Sequence, residues 1–161
     1  MTKPLGKTPK VGIICSPGGH LTEINLLIDA YRDFPHYFIT YQSDNTEQMS
    51  NVYFFPRYNS DHGLFRKIRW FLRCLAIARR TVREQHPTIL ISSGGGDLAI
   101  PAFLMGKMYR ISLLYIEHIG RFNSPSSTGR ILYRLSDRFF VQSKALLHCY
   151  GKKAEYHGAV I

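Results

Sequence analysis

The chain has 161 residues, enough for one domain with a sizeable hydrophobic core and too few for a two-domain enzyme. Hydrophobic residues make up 45% and charged residues 20%, a globular balance that excludes disordered and collagen-like chains. Lys and Arg outnumber Asp and Glu by 21 to 11, and the net charge of +10 points to a polyanionic partner: nucleic acid, an anionic membrane face or a phosphorylated substrate.

Residues 1–10 read as a basic tail, and residues 11–161 as a single domain. The apolar run after the tail is interrupted by Gly12 and stops at Ser16-Pro17-Gly18-Gly19, so a signal peptide is not expected. Val11–Cys15 is instead a buried strand, and Leu21, Ile24, Leu27, Ile28 and Tyr31 then recur at helical spacing. His36–Tyr41 and Val52–Phe55 read as strands, Leu64–Gln85 as a long helix ended before Pro87, and Thr88–Ile91 as the next strand. Leu98–Tyr109 is helical, with Pro101 confined to its first turn. Its apolar stretch Leu98–Met105 falls short of the ~18 residues of a membrane span, so no transmembrane segment is expected. Ser112–Glu117 is a strand, Thr128–Leu135 a helix, Arg138–Gln142 a strand, Ser143–Tyr150 a helix and Glu155–His157 a final strand. Cys15, Cys74 and Cys149 are odd in number and widely spaced, which argues against a metal site or disulfide framework.

Strands alternating with helices predict an α/β, Rossmann-like, mostly parallel sheet flanked by helices on both faces. Ligands bind such sheets beyond the carboxyl ends of the strands. Three unusual loops belong there: Ser16-Pro17-Gly18-Gly19-His20, Ser92-Ser93-Gly94-Gly95-Gly96-Asp97, and Glu117-His118-Ile119-Gly120-Arg121. The first enters a helix with no acid before Glu23, so its backbone N–H groups suit a phosphate or diphosphate, with His20 at the mouth; a plain tight turn is the alternative. Its pattern matches neither G-x-G-x-x-G nor Walker A. The second suits a substrate-facing wall or partner contact, with Asp97 as helix cap. In the third, Glu117 ends an apolar strand, where it serves as a general base or pairs with Arg121 or a backbone amide. Ser127 or Thr128 then caps the next helix or faces substrate.

On Leu64–Gln85, at ~100° per residue, Leu64, Ile68, Phe71, Leu72, Leu75, Ala78 and Val82 share one face and Arg66, Arg69, Arg73 and Arg80 the opposite one. Trp70 and Ile77 fall beside the arginines, outside that apolar face. A cationic stripe flanked by an exposed Trp and Ile predicts contact with an anionic membrane; a solvated helix face is the alternative. Aromatic residues lie mostly in strands rather than on an exposed basic platform, so nucleic acid is not expected as partner.

The order Cys15-Ser16-Pro17-Gly18-Gly19-His20-Leu21-Thr22-Glu23, Ser92-Ser93-Gly94-Gly95 leading to Ile100-Pro101, Tyr115-Ile116-Glu117, Arg121, Pro125-Ser126-Ser127-Thr128-Gly129, Ser136 to Gln142 and Tyr156-His157-Gly158 resembles one family. It is that of the PssD-type polysaccharide-biosynthesis proteins, relatives of the membrane-anchoring subunit of the split eukaryotic transferase that adds the second N-acetylglucosamine to dolichol diphosphate. The resemblance implies the N-terminal, acceptor-side half of a GT-B glycosyltransferase, as in the related MurG enzyme. It also implies a peripheral place on the cytoplasmic membrane face and a PssE-type partner chain that binds the nucleotide-sugar. The expected reaction is inverting transfer from a UDP-sugar to a polyprenyl-diphosphate-linked saccharide, without cofactor or metal. The rival reading is a non-catalytic scaffold that recruits the partner. The expected catalytic residues are His20, which MurG's glycine loop also places at its end, and Glu117. Substrate binding falls to Ser16, Gly18, Gly19, Ser93, Gly94, Gly95, His118, Arg121, Ser127 and Thr128. Membrane contact falls to Arg66, Arg69, Trp70, Arg73, Ile77 and Arg80, and partner contact to Gly96, Tyr156, Gly158 and Ile161.

Overall fold

The structure, a computed structural model, describes residues 8–58 and 63–160. Ile161, and with it one expected partner contact, lies outside the described residues, as do residues 1–7 of the basic tail. In chain order the elements are β1 (Val11–Ile14), α1 (Gly19–Leu26), a 3₁₀ turn at Ile28–Ala30, β2 (His36–Thr40), β3 (Val52–Phe54), α2 (Leu64–Gln85), β4 (Ile89–Ser92), α3 (Gly96–Met108), β5 (Ser112–Ile116), α4 (Ser127–Leu135), β6 (Arg138–Val141), α5 (Ala145–Tyr150) and β7 (Ala154–Tyr156).

The strands form one seven-stranded sheet in the order β3-β2-β1-β4-β5-β6-β7, and every neighbouring pair is parallel. Val11 of β1 is flanked by His36 of β2 and Ile89 of β4, which sets the register of the centre. All four residues of β1 are buried because both of its faces are covered. Val11, Ile13 and Cys15 pack with Leu21, Ile24, Tyr31 and Phe38 under α1, while Ile14 joins the larger core on the opposite face. That core runs from Cys74 and Ala78 of α2 through Leu98 and Phe103 of α3 to Leu132 and Leu146. Tyr115 stacks on Phe139 at 5.2 Å between ring centroids, which adds specific aromatic geometry to its apolar burial.

The inward face of α2 shares Ala78 and Val82 with the expected apolar face but is turned away from its large residues near the start of the helix. Its buried residues are Cys74, Ala78, Thr81 and Val82, and it packs mainly on α3. Small side chains on this seam let the two helices approach closely, so size-weighted patterning pointed elsewhere. Trp70 and Ile77, expected to be exposed, pack against the core, and the Trp70 indole donates to the Pro56 carbonyl at 2.7 Å. Leu64 and Phe65 are instead 76% and 78% exposed, and Ile68 and Leu72 lie in the open beside them. Arg66, Arg69, Arg73 and Arg80 are exposed, so the cationic stripe stands and its apolar companions change.

Burial separates the cysteines by reactivity. Cys15 and Cys74 are fully buried and their thiols are pushed up to about 12 by desolvation, whereas Cys149 is exposed. A thiol reagent at neutral pH should label Cys149 rapidly and the other two only on unfolding, read as labelled thiols per chain against urea. Fast labelling of a Cys149→Ser variant in the absence of urea would contradict this packing.

Candidate functional site

Parallel strands bring all of their carboxyl ends to one edge. The chain builds outward from β1 to β2 and β3, then crosses back to β4 and continues the other way. Loops leaving β1 and β4 therefore diverge, and the crevice between them is where such sheets take ligands.

The loop after β1 turns at Gly18, whose φ of +90° lies in the region glycine adopts without strain. No side chain caps α1, no acid occupies its first turn, and Gly18 and Gly19 are exposed. Backbone N–H groups at the positive end of the helix thus face the crevice un-neutralised, a setting for an anion.

His20 lies in that first turn, half-buried, with its ring against Gly94. A Cβ at Gly94 would collide with the imidazole, and its φ of +140° also demands glycine. Ser93, fully buried, donates to the His20 carbonyl at 3.1 Å. Desolvation, followed by the neighbouring His118, holds the His20 pKa below the usual imidazole value, so the ring is neutral and able to accept a proton. His118 meets it edge-on at 4.6 Å between centroids. The Gly120 N–H donates to His118 Nδ1 at 3.0 Å, so that nitrogen carries no proton in this arrangement.

The glycines of the second loop are used inside the chain. A Cβ at Gly95 would press on Ser16 and one at Gly96 would collide with Thr128. Ser93, Gly94, Gly95 and Gly96 thus brace the crevice by internal contacts. Gly95, in a left-handed conformation, is the cap residue of α3. Asp97 lies inside the helix, one oxygen on the Leu98 N–H and the other accepting from Tyr41, rather than capping it.

Glu117 has no exposed surface. Its carboxylate accepts from the Ser126 hydroxyl at 2.9 and 3.1 Å, from the His118 N–H at 3.2 Å and from the Tyr150 hydroxyl. These contacts, not Arg121, are what pair it. With both oxygens engaged and no open face, Glu117 acts as the post that holds the end of β5, the start of α4 and the end of α5. The geometry therefore favours His20 over Glu117 as proton acceptor. Ser126, one residue before the expected pair, caps α4 by accepting from the Gly129 N–H at 2.8 Å. Thr128 packs on Gly96, while Ser127 and Arg121 are exposed on the same edge.

Two residues without an assigned role prove central. Glu23, one helical turn after His20, is buried; its Oε1 accepts from the Ile119 N–H at 2.9 Å and from Gln142, and its Oε2 lies 4.0 Å from His20 Nδ1. Burial raises its pKa. Gln142 also donates to the Glu117 carbonyl at 3.0 Å and accepts from the Val160 N–H at 2.8 Å. The signal was present: His-x-x-Glu places both side chains on one helix face, and Gln142, like Glu117, ends an apolar strand. Tyr156 ends β7, the outermost strand, and Gly158 follows its carboxyl end in the segment whose Val160 reaches Gln142. An apolar hollow of ≈ 300 Å³ opens beside them, lined by Leu27, Ile116, Phe140, His157 and Val160.

A family model described as "Oligosaccharide biosynthesis protein Alg14 like" matches residues 56–160. The chain is 39% identical over 82 residues to the "UDP-N-acetylglucosamine transferase subunit ALG14" of Kluyveromyces lactis, a match covering 47% of this chain and 34% of that protein. The human protein of the same name is 31% identical over 85 residues, covering 50% and 39%. The chain thus spans well under half the length of these curated relatives. Among solved structures, MurG of Acinetobacter baumannii superposes with a TM-score of 0.68 at 14% identity, covering 94% of this chain and 45% of MurG. UDP-GlcNAc 2-epimerase of Methanocaldococcus jannaschii gives 0.69 at 13%, covering 91% and 45%. At such identities the likeness is one of fold: the Rossmann-like half of a GT-B enzyme.

The post at Glu117 makes Gly129 irreplaceable. A Cβ there would meet the Glu117 carboxylate, the Tyr150 hydroxyl and, at 2.9 Å, Ser126 Oγ. Alanine for glycine inside an exposed helix gains about 1 kcal/mol, so the collision must first cancel that gain. Gly129→Ala should still lose ~1–3 kcal/mol through overpacking, read from urea unfolding; an unchanged or raised midpoint would show that the network yields.

Proposed function

The chain belongs to the Alg14-like family of oligosaccharide-biosynthesis proteins, and we propose that it is the acceptor-side subunit of a two-chain inverting glycosyltransferase. It holds a polyprenyl-diphosphate-linked saccharide while a second, PssE-like chain presents a UDP-sugar. The observation that carries this reading is the neutral His20 beside the open, acid-free N-terminus of α1, at the crevice of a MurG-like sheet. The acceptor diphosphate lies against the N–H groups around Gly18 and Gly19. The acceptor hydroxyl attacks the anomeric carbon in line; the new C–O bond forms as the bond to UDP breaks, configuration inverts, and the proton passes to His20. Glu23 lies one helical turn on, its Oε2 4.0 Å from His20 Nδ1 with no hydrogen bond between them. The names of the relatives support N-acetylglucosamine as the transferred sugar.

The partner meets the outer edge at Tyr156 and Gly158, where the apolar hollow beside β7 offers surface to cover. The membrane meets α2. No helix among the described residues is long and apolar enough to cross a membrane. A helix that follows a parallel strand starts at the carboxyl edge, so Leu64, Phe65, Ile68 and Leu72, ringed by Arg66, Arg69 and Arg73, stand on the same edge as the crevice. Apolar wedges among cations suit an anionic bilayer surface, which brings the lipid-linked acceptor to the loop that binds it.

Replacing His20 by Ala should lower turnover of the reconstituted pair by ~10²-fold or more without releasing the partner; unchanged turnover removes His20 from the chemistry. Replacing Leu64, Phe65, Ile68 and Leu72 together by Ser should abolish co-sedimentation with anionic vesicles, while the fold stays intact because these side chains are outside the core. Retained sedimentation would mean that the membrane is met elsewhere.

A further inference from the structure

The corner between α1 and the loop after β5 holds more lone pairs than proton transfer needs. One nitrogen of His20, one oxygen of Glu23 and one nitrogen of His118 all lie within 4.8 Å of one another. Two of these donors come from a single helical turn, since residues three apart share a helix face; the third arrives from the loop after β5. Among the described residues, His20 Nδ1 and Glu23 Oε2 have no hydrogen-bond partner, although both atoms are closed to solvent. They stand 4.0 Å apart, too far for a hydrogen bond. Two ligands with bonds of about 2.0–2.2 Å to one ion can stand at such a separation.

We propose that His20, Glu23 and His118 form a binding site for a divalent transition-metal ion of the zinc class, and that an ion bound there withdraws His20 from proton transfer. Two imidazoles and one carboxylate suit Zn²⁺, Co²⁺ or Fe²⁺ rather than Mg²⁺ or Ca²⁺, which prefer all-oxygen sets. Glu23 is already oriented as a metal ligand needs to be: its second oxygen is fixed by the Ile119 N–H and Gln142, so Oε2 points at the histidines. The ion would satisfy both buried atoms that now lack partners. Ligation by His118 through Nε2 moves that ring's proton to Nδ1 and releases the Gly120 N–H, which is exposed and can turn to water. Three protein ligands leave a fourth position for water or a substrate oxygen.

The site would make the subunit sensitive to zinc-class ions, because an ion on His20 Nδ1 leaves the ring's proton on Nε2 and no lone pair free to accept another. Binding itself depends only on the donor geometry; the effect on turnover rests on the proposal that His20 takes the proton.

The test is a titration of the purified full chain with Co²⁺, followed by its visible d–d absorption and reversed with Zn²⁺. About one equivalent should bind with a band of four- or five-coordinate intensity. Glu23→Gln, which preserves shape and the acceptor for Ile119, and His118→Ala should each weaken binding at least about tenfold, the scale of a lost ligand contact. Cys149→Ser should leave the spectrum unchanged. Absence of the band under excess Co²⁺, its loss in Cys149→Ser, or its persistence in both site variants would overturn the proposal while leaving the role of His20 in transfer standing. Binding at these residues with undiminished turnover of the reconstituted pair would uphold the site and overturn its effect on proton transfer.

Discussion

The working edge of this protein depends on two buried carboxylates and the amide that joins them. Glu23 and Glu117 come from opposite sides of the crevice, and among the described residues neither is paired with a Lys or Arg. The Glu117 carboxylate accepts from the His118 N–H and the Ser126 and Tyr150 hydroxyls, and one oxygen of Glu23 from the Ile119 N–H and the Gln142 amide, which also holds the Glu117 backbone carbonyl. Each partner is thereby committed to one position: Ile119 to the start of its loop, Ser126 to the cap of α4, Tyr150 to the end of α5 and Val160 to the sheet edge. A polar network this buried rewards completeness, because an acceptor left open there costs more than a single hydrogen bond contributes.

From this network follows a division of labour along the carboxyl edge. The interior glycines carry the packing of the chain against itself, with His20, Ser16 and Thr128 filling the space above them. The exposed glycines at the start of α1 leave backbone donors bare. Rigid support and open recognition surface thus sit a few residues apart. The histidine lies between the two, with its backbone tied to Ser93 and its half-buried ring against Gly94 and His118.

Much of the architecture was legible because buried parallel strands read as short apolar runs and helices as wider periods. The convergence of the three loops followed from parallel direction alone. The inward face of α2 was not legible, since Cys74, Ala78 and Thr81 carry little weight in a hydrophobic pattern yet are what a close helix contact requires. The use of the triple glycine was hidden for a related reason: glycine announces that something approaches closely, not whose atoms do. Glu117 stood out correctly as a carboxylate ending an apolar strand, but its partners Ser126 and Tyr150 lie 9 and 33 residues away, a proximity only the fold creates. Glu23 was passed over because a carboxylate on a short surface helix looks ordinary until Gln142 is seen above it.

The Glu23–Gln142 bond spans 119 residues of sequence. On a ribosome, the helix bearing His20 would emerge early, and its carboxylate would wait through the synthesis of five further strands before the amide that completes it is made. The crevice is therefore among the last parts of the molecule to become native, since contacts this distant must pay loop closure before they contribute. A nascent or truncated chain ending before β6 would carry the glycine loop and the histidine in sequence while lacking the order that makes them a site.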